Sequence, residues 1–193
     1  MATATAPAHA AAPAHGGAHS RLPINRMGIW LFFFSDGLLF ATLAASRFYL
    51  HGLERPAELN QLLGLGITSV LLASSLTAFR AETAFEHGNV GHGRAMLLAT
   101  IIMGAAFAVG VGFEWSIAEW VPSDPFGTAF FSMTGMHAAH VISGVIFLLV
   151  IYIRAGKGHF PIGNTWSVTA MVMYWHFVDV VWVFFYPTLY LVK

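Results

Sequence analysis

No cysteine occurs in the 193 residues. Its absence excludes disulfides, thiolate-bound metal, haem attached through C-x-x-C-H, a cysteine nucleophile and a thiolate-bridged copper site within this chain. Charge is nearly as scarce. Lys and Arg number 9 and Asp and Glu number 9, so the formal net charge is zero and no basic footprint for nucleic acid is present. Only 9% of residues are charged, against roughly 25% in soluble domains. Apolar residues fill the difference, at 57% of the chain with a mean hydropathy of +0.68. This is the composition of an integral membrane protein.

Residues 1–25 are rich in Ala, Pro, Gly and His and have no periodic apolar pattern. They cannot bury a core and are expected to form a disordered tail. No Leu-rich stretch precedes Met27, so a cleaved signal peptide is not expected. His9, His15 and His19 read as solvated tail residues, although such histidines can bind metal adventitiously. The membrane domain spans 26–193 and holds five apolar segments: Met27–Leu50, Asn60–Phe79, Ala95–Trp115, Phe126–Ile153 and Val168–Val192. Each has the roughly 20 residues that a helix needs to cross the hydrocarbon core. They are too continuous for the alternating strands of about 10 residues in a membrane β-barrel. The expected fold is an all-α bundle of five transmembrane helices.

Lys and Arg orient the bundle. The tail, second connection and fourth connection carry Arg21, Arg26, Arg80, Arg94, Arg154 and Lys157; the opposite side carries Arg47, Arg55 and Lys193. The expected topology puts the N-terminus in the cytoplasm and the C-terminus outside. Trp115, Trp120, Tyr186 and Tyr190 then fall at the outer interface, where aromatic belts form. Two runs of small residues, Gly104-Ala108-Gly112 and Gly135-Ala139-Ser143, have the spacing that lets helices approach closely.

The chemistry-bearing residues lie deep in these segments. Asp36 falls about 14 Å into the first helix and Asp179 roughly 16 Å into the fifth, at 1.5 Å per residue. A charge at mid-membrane costs about 2.5–3.5 kcal/mol on insertion scales, so such groups are paired, turned toward protein or functional. His137 and His140 share a face at i and i+3, as do His176 and Asp179, and a His176–Asp179 hydrogen bond would lower the burial cost of both. Trp175, Asp179, Trp182 and Tyr186 form a stripe at helical spacing. The three histidines have two readings. One is a metal site, since imidazole suits copper, zinc and iron. The other is three core histidines satisfied by internal pairing, the commoner fate of intramembrane polar groups. Asp36 is either a proton-relay carboxylate or a neutral acid bonded to a neighbouring helix. Glu114, near the outer end of the third helix, reads as a more easily solvated interface or packing residue. Glu82, Glu86, His87 and His92 read as a solvated helix end in the second connection.

Four stretches carry a resemblance. They are Gly28-Ile-Trp-Leu-Phe-Phe-Phe-Ser35-Asp36; Leu71-Leu-Ala-Ser74-Ser75; Phe130 to Gly144 with Thr134-Gly135-Met-His137-Ala-Ala-His140; and Tyr174-Trp-His-Phe-Val-Asp179-Val-Val-Trp182, continuing to Tyr186. In this order the chain resembles subunit III of the haem–copper oxidases, in its shorter five-helix form. Glu114-Trp115 resembles the family's Glu-Tyr at the end of the third helix. One departure is Asp36, where the family usually has Glu. Longer members also carry two extra N-terminal helices, which the Ala/Pro/His-rich tail is not suited to form.

The resemblance implies an accessory subunit of a proton-pumping terminal oxidase in aerobic respiration, multi-pass in the plasma membrane of a prokaryote. Haems and copper are expected in partner subunits and none in this chain, with no catalytic or metal-binding residues of its own. Oxidase subunits I and II and phospholipids are the implied partners, within a larger respiratory supercomplex in some settings. The residues implied in the proton environment or in lipid contact are Asp36, Glu114, His137, His140, Trp175, His176, Asp179 and Trp182. Cytochrome c is the first candidate for the electron donor. A quinol oxidase, a nitric oxide reductase-associated homologue and a stand-alone His-ligated metal or haem protein stay open as alternatives.

Overall fold

The structure, a computed structural model, describes residues 21–52, 60–158 and 165–192. Among them are five long helices and no strand: α1 (Arg21–His51), α2 (Gln61–Glu86), α3 (Val90–Ile117), α4 (Pro125–Gly156) and α5 (Trp166–Tyr186), followed by a short π-helix, Pro187–Leu191. All five are long and apolar enough to cross a membrane. The expected five-helix membrane bundle is therefore present. Most of the expected tail lies outside the described residues, but α1 begins at Arg21, inside the stretch expected to be irregular.

Four helices form a closed ring, in which α2 packs on α3, α3 on α4, α4 on α5, and α5 back on α2. Helix α1 lies outside it, against α4 and α5. The burial follows this plan. In the most apolar stretch of α5, 44% of residues are buried, against 11% in α1. The large indoles of Trp175 and Trp182 are wholly buried and fill the centre of the ring.

The second connection is much shorter than the polar run Arg80–Arg94 suggests. Ala81, Ala84 and Phe85 are buried at helical spacing, so α2 continues to Glu86 with its polar residues on one outward side. Only His87-Gly88-Asn89 remains as the turn. Gly88 has φ 74°, which glycine adopts without steric cost, and Asn89 then caps α3 by accepting the His92 amide at 3.1 Å. Phe85 lies directly over Gly93, where a Cβ would sit 2.8 Å from the ring. Glu82 and Glu86 are thus residues of the last turns of α2, and His92 belongs to the first turn of α3.

At the other end of the chain Pro187 interrupts α5. Proline has no amide hydrogen to donate, so the hydrogen-bond ladder slips. Val192 N then donates to Pro187 O at 3.1 Å, closing a π-turn. That slip turns Leu189 and Tyr190 inward, where both are fully buried. Tyr190 was expected in an outer aromatic belt and is instead a core residue. Trp115 keeps an exposed face.

The small-residue runs act differently from the expected close helix–helix stripes. Gly112 has nothing near it, and Ala139 is exposed. Gly104 and Gly144 instead clasp one ring between them. A Cβ on Gly104 would lie 2.4 Å from Cη2 of Trp175, and one on Gly144 would lie 2.9 Å from its Cε3. The glycines make room for an indole rather than for a backbone.

Candidate functional site

The polar groups of the membrane interior fall into two sets. The first is a ladder between α2 and α5. Gln61, Thr68 and Ser75 are seven residues apart, so they recur on one side of α2. The antiparallel α5 and its extension meet them in reverse order. Gln61 Nε2 donates to Tyr190 O at 2.7 Å. Trp182 Nε1 donates to Thr68 Oγ1 at 2.9 Å, and Trp175 Nε1 donates to Ser74 Oγ at 2.9 Å. Ser75 Oγ donates to Asp179 Oδ2 and also lies 3.1 Å from His176 Nδ1. Each rung satisfies a donor that would otherwise be stranded in hydrocarbon.

His176 and Asp179 therefore do not bond each other, as their i, i+3 spacing suggested. Both side chains reach sideways to α2, and Ser75 stands between them. Its single proton goes to Asp179, so His176 supplies the other proton from Nδ1. The result is a chain His176 to Ser75 to Asp179, in which every donor has an acceptor. Trp175 and Trp182 are the load of the same ladder: their rings pack the core while their N–H groups hold its rungs.

The second set joins α1 to α4 and α5. Asp36 Oδ2 lies 3.3 Å from His140 Nε2, at ion-pair distance though outside hydrogen-bond geometry. His140 Nδ1 is 2.8 Å from Met136 O. A carbonyl can only accept, so Nδ1 carries its hydrogen. Nε2 is then the nitrogen that faces the Asp36 carboxyl group. The Tyr174 hydroxyl is close by, 2.8 Å from Ser143 Oγ and 3.3 Å from the His140 carbonyl. Both members of the pair keep partial exposure, 13% for Asp36 and 19% for His140.

Glu114 departs from expectation. It is 4% exposed and not at a solvated interface. The Tyr190 hydroxyl bonds both of its oxygens, at 2.8 and 2.7 Å. The cause is the π-turn after Pro187, which swings Tyr190 inward beneath α3. A Cβ on Gly64 would lie 2.6 Å from the Tyr190 ring, so the glycine leaves the space that the ring fills.

His137 is set apart from the other histidines. It is fully buried, stacked on Trp182 at 4.7 Å and edge-on to Phe107 at 5.5 Å. Neither of its nitrogens has a hydrogen-bond partner among the described residues. His137, His140 and His176 do not converge, and among the described residues no group of three or more His, Asp or Glu side chains is placed to hold a metal ion. Each histidine serves a different neighbourhood: an aromatic cage, the Asp36 contact and the Ser75 relay.

Several partners in these networks have no charge to mark them in the sequence. Gln61, Thr68, Ser143, Tyr174 and Tyr190 are ordinary residues by type. Only the seven-residue recurrence of Gln61, Thr68 and Ser75 on an apolar helix signals one shared contact line.

Comparison with known proteins fits this arrangement. The family model for cytochrome c oxidase subunit III matches residues 15–193. The cytochrome c oxidase subunit 3 of Corynebacterium diphtheriae is 33% identical over 195 aligned positions, covering 95% of each chain. A probable cytochrome c oxidase subunit 3 of Nocardia farcinica is 35% identical over 142, covering 72% of this chain and 70% of the relative. The cytochrome c oxidase subunit 3 of Loxodonta africana is 43% identical over 124, covering 64% of this chain and 48% of its own longer one. With five membrane helices, a match over nearly the whole chain and its acidic groups built into interhelical contacts, this chain belongs to the cytochrome c oxidase subunit III family.

Proposed function

We propose that the chain is the accessory third subunit of a proton-pumping haem–copper terminal oxidase in a prokaryotic plasma membrane, with its N-terminus on the cytoplasmic side. Family membership implies a haem–copper oxidase complex and carries this reading. Subunits I and II are the proposed partners, and they are expected to supply the haems and copper. The names of the relatives favour cytochrome c over quinol as the donor.

Within that complex the α2–α5 ladder is proposed to serve as the rigid frame that subunit I packs against. The Asp36–His140 pair is proposed to condition proton uptake. An apolar groove of about 430 Å³ between α1 and α5, lined by Gly37, Phe40, Ala44, Phe177, Phe184 and Phe185, suits the acyl chain of a bound phospholipid. The test is to tag this chain, purify it from membranes and assay the product. The expected result is a haem-containing complex with subunits I and II whose turnover becomes short-lived when this chain is deleted. Recovery of the chain alone, with oxidase activity and lifetime indifferent to its deletion, sinks the reading.

A further inference from the structure

The α2–α3 turn carries a concave surface that neither polar set uses. It is a cavity of about 360 Å³ whose lining includes Phe79, Arg80, Ala84, His87, Asn89 and His92. Ala84 is buried at its floor, while the polar residues are exposed around it. No carboxylate lines it. Among the described residues Arg80 forms no ion pair or hydrogen bond, so its guanidinium retains its donors.

The neighbouring polar groups are partly committed in a way that leaves further donors. The Asn89 side-chain oxygen is occupied by the His92 amide, which leaves the Asn89 NH₂ group. The His92 ring has no partner among the described residues. His87 Nδ1 is spent on Thr83 O at 2.8 Å, so this ring can donate to an anion only from Nε2 after taking up a proton. The start of α3 adds the positive end of a 28-residue helix.

Position completes the argument. Helix α2 ends at Glu86 and α3 begins at Val90, so the cavity lies where two spans leave the hydrocarbon and lipid headgroups are found. From it, exposed apolar side chains continue along α2 into the membrane: Phe79 at 56%, Leu76 at 57% and Leu72 at 42%. Basic pockets between membrane helices bind anionic headgroups.

We propose that this cavity binds the phosphodiester headgroup of an anionic phospholipid. Arg80 supplies the fixed charge, Asn89 and His92 supply donors, and Phe79 and Leu76 lie along the first acyl carbons. Inorganic phosphate shares the headgroup chemistry but gains nothing from the apolar run, which is why a lipid is the occupant. The site refines the lipid-holding part of the function proposed above.

The test uses the purified oxidase complex in nanodiscs of phosphatidylcholine with a small fraction of phosphatidylglycerol. Retained lipid is counted by mass spectrometry after re-extraction. One cation near a headgroup corresponds to about a fivefold affinity ratio. Arg80→Gln should therefore lower retained phosphatidylglycerol about fivefold and leave phosphatidylcholine unchanged. Arg80→Lys should retain an intermediate amount, and Lys157→Gln, in the α4–α5 connection, should retain the wild-type amount. Excess inorganic phosphate should not displace the lipid. Equal retention in Arg80→Gln, an equal loss in Lys157→Gln, or displacement by phosphate overturns the proposal. If Arg80→Gln does not assemble, Asn89→Ala with His92→Gln carries the same comparison. Absence of this chain from any oxidase complex sinks the functional reading, whereas a normal complex with unchanged lipid content sinks this proposal alone.

Discussion

The clasp around Trp175 allows a quantitative test of how the bundle is held together. In lipid, apolar burial does not drive helix against helix, so packing and interhelical hydrogen bonds must. Trp175 is wholly buried, held from one side by Gly104 and from the other by Gly144, and anchored through Nε1 to Ser74. Gly104→Ala would place a methyl carbon 2.4 Å from the ring. The ring cannot slide away without giving up a hydrogen bond worth about 1 kcal/mol. Overpacking of this kind costs about 1–3 kcal/mol, and the helix-propensity gain of Gly→Ala returns at most about 1 kcal/mol. The net effect in the native background is destabilisation of up to about 2 kcal/mol. In a Trp175→Leu background the ring clash is gone and only the approach to Val145 Cγ2, at 2.9 Å, still offsets the propensity gain, so the same substitution should be much less destabilising. A double-mutant cycle, read as the fraction of detergent-solubilised chain folded across an SDS titration, should give a coupling of about 1–3 kcal/mol. Gly112→Ala, where a Cβ meets nothing, should be neutral or stabilising in both backgrounds. If the Gly104 and Trp175 effects add within about 0.5 kcal/mol, the clasp is not what holds the ring.

Tyr190→Phe removes the donor that both Glu114 oxygens share and should destabilise the folded chain by about 1–3 kcal/mol; Glu114→Leu added to it should recover most of the loss, and failure to recover it in the same SDS titration would count against the contact. His137→Leu replaces an imidazole that has no hydrogen-bond partner among the described residues with an apolar side chain of similar size, so the unfolding midpoint should hold or rise; a large fall would reveal a partner for the ring. Asp36→Asn keeps the shape beside His140 but removes the ionisable carboxyl group. It should leave the haem spectra of the complex intact while slowing proton uptake or shortening the active lifetime, and unchanged turnover kinetics across pH would remove Asp36 from proton traffic.

The spans were legible because each is a long apolar run, and their number and order follow from it. Their ends were less so. Arg80 to Arg94 reads as a polar loop because the outward side of a helix leaving the membrane is polar; the buried Ala81, Ala84 and Phe85 show the helix only once their partner α3 is known. The intramembrane Asp36, His137, His140, His176 and Asp179 were visible as costly residues in apolar runs, and Trp175 and Trp182 as a stripe with Asp179. Their partners were not, because Ser75, Thr68 and Tyr190 are chosen by interhelical register, which depends on which helices touch. Glu114 was misplaced for a related reason. Counting along a straight α3 puts it near the membrane surface, and nothing in that count contains the π-turn that Pro187 imposes on another helix.

The two polar sets differ in how firmly they are held. The α2–α5 ladder runs along the first half of α2 from Gln61 to Ser75, closes the helix ring and uses neutral donors with acceptors at every rung. The Asp36–His140 contact sits where α1, the least buried helix, rests on the outside of the ring. It is longer than a good hydrogen bond and partly exposed. Aromatic contacts secure that seam on either side, with Phe33 stacked on Phe177 at 4.7 Å and Phe40 edge-on to His140 at 4.9 Å. The cluster at the end of the chain, the most conspicuous polar feature in the sequence, is thus tied into the ring through Ser75, whereas the less conspicuous Asp36 meets His140 from the outlying helix.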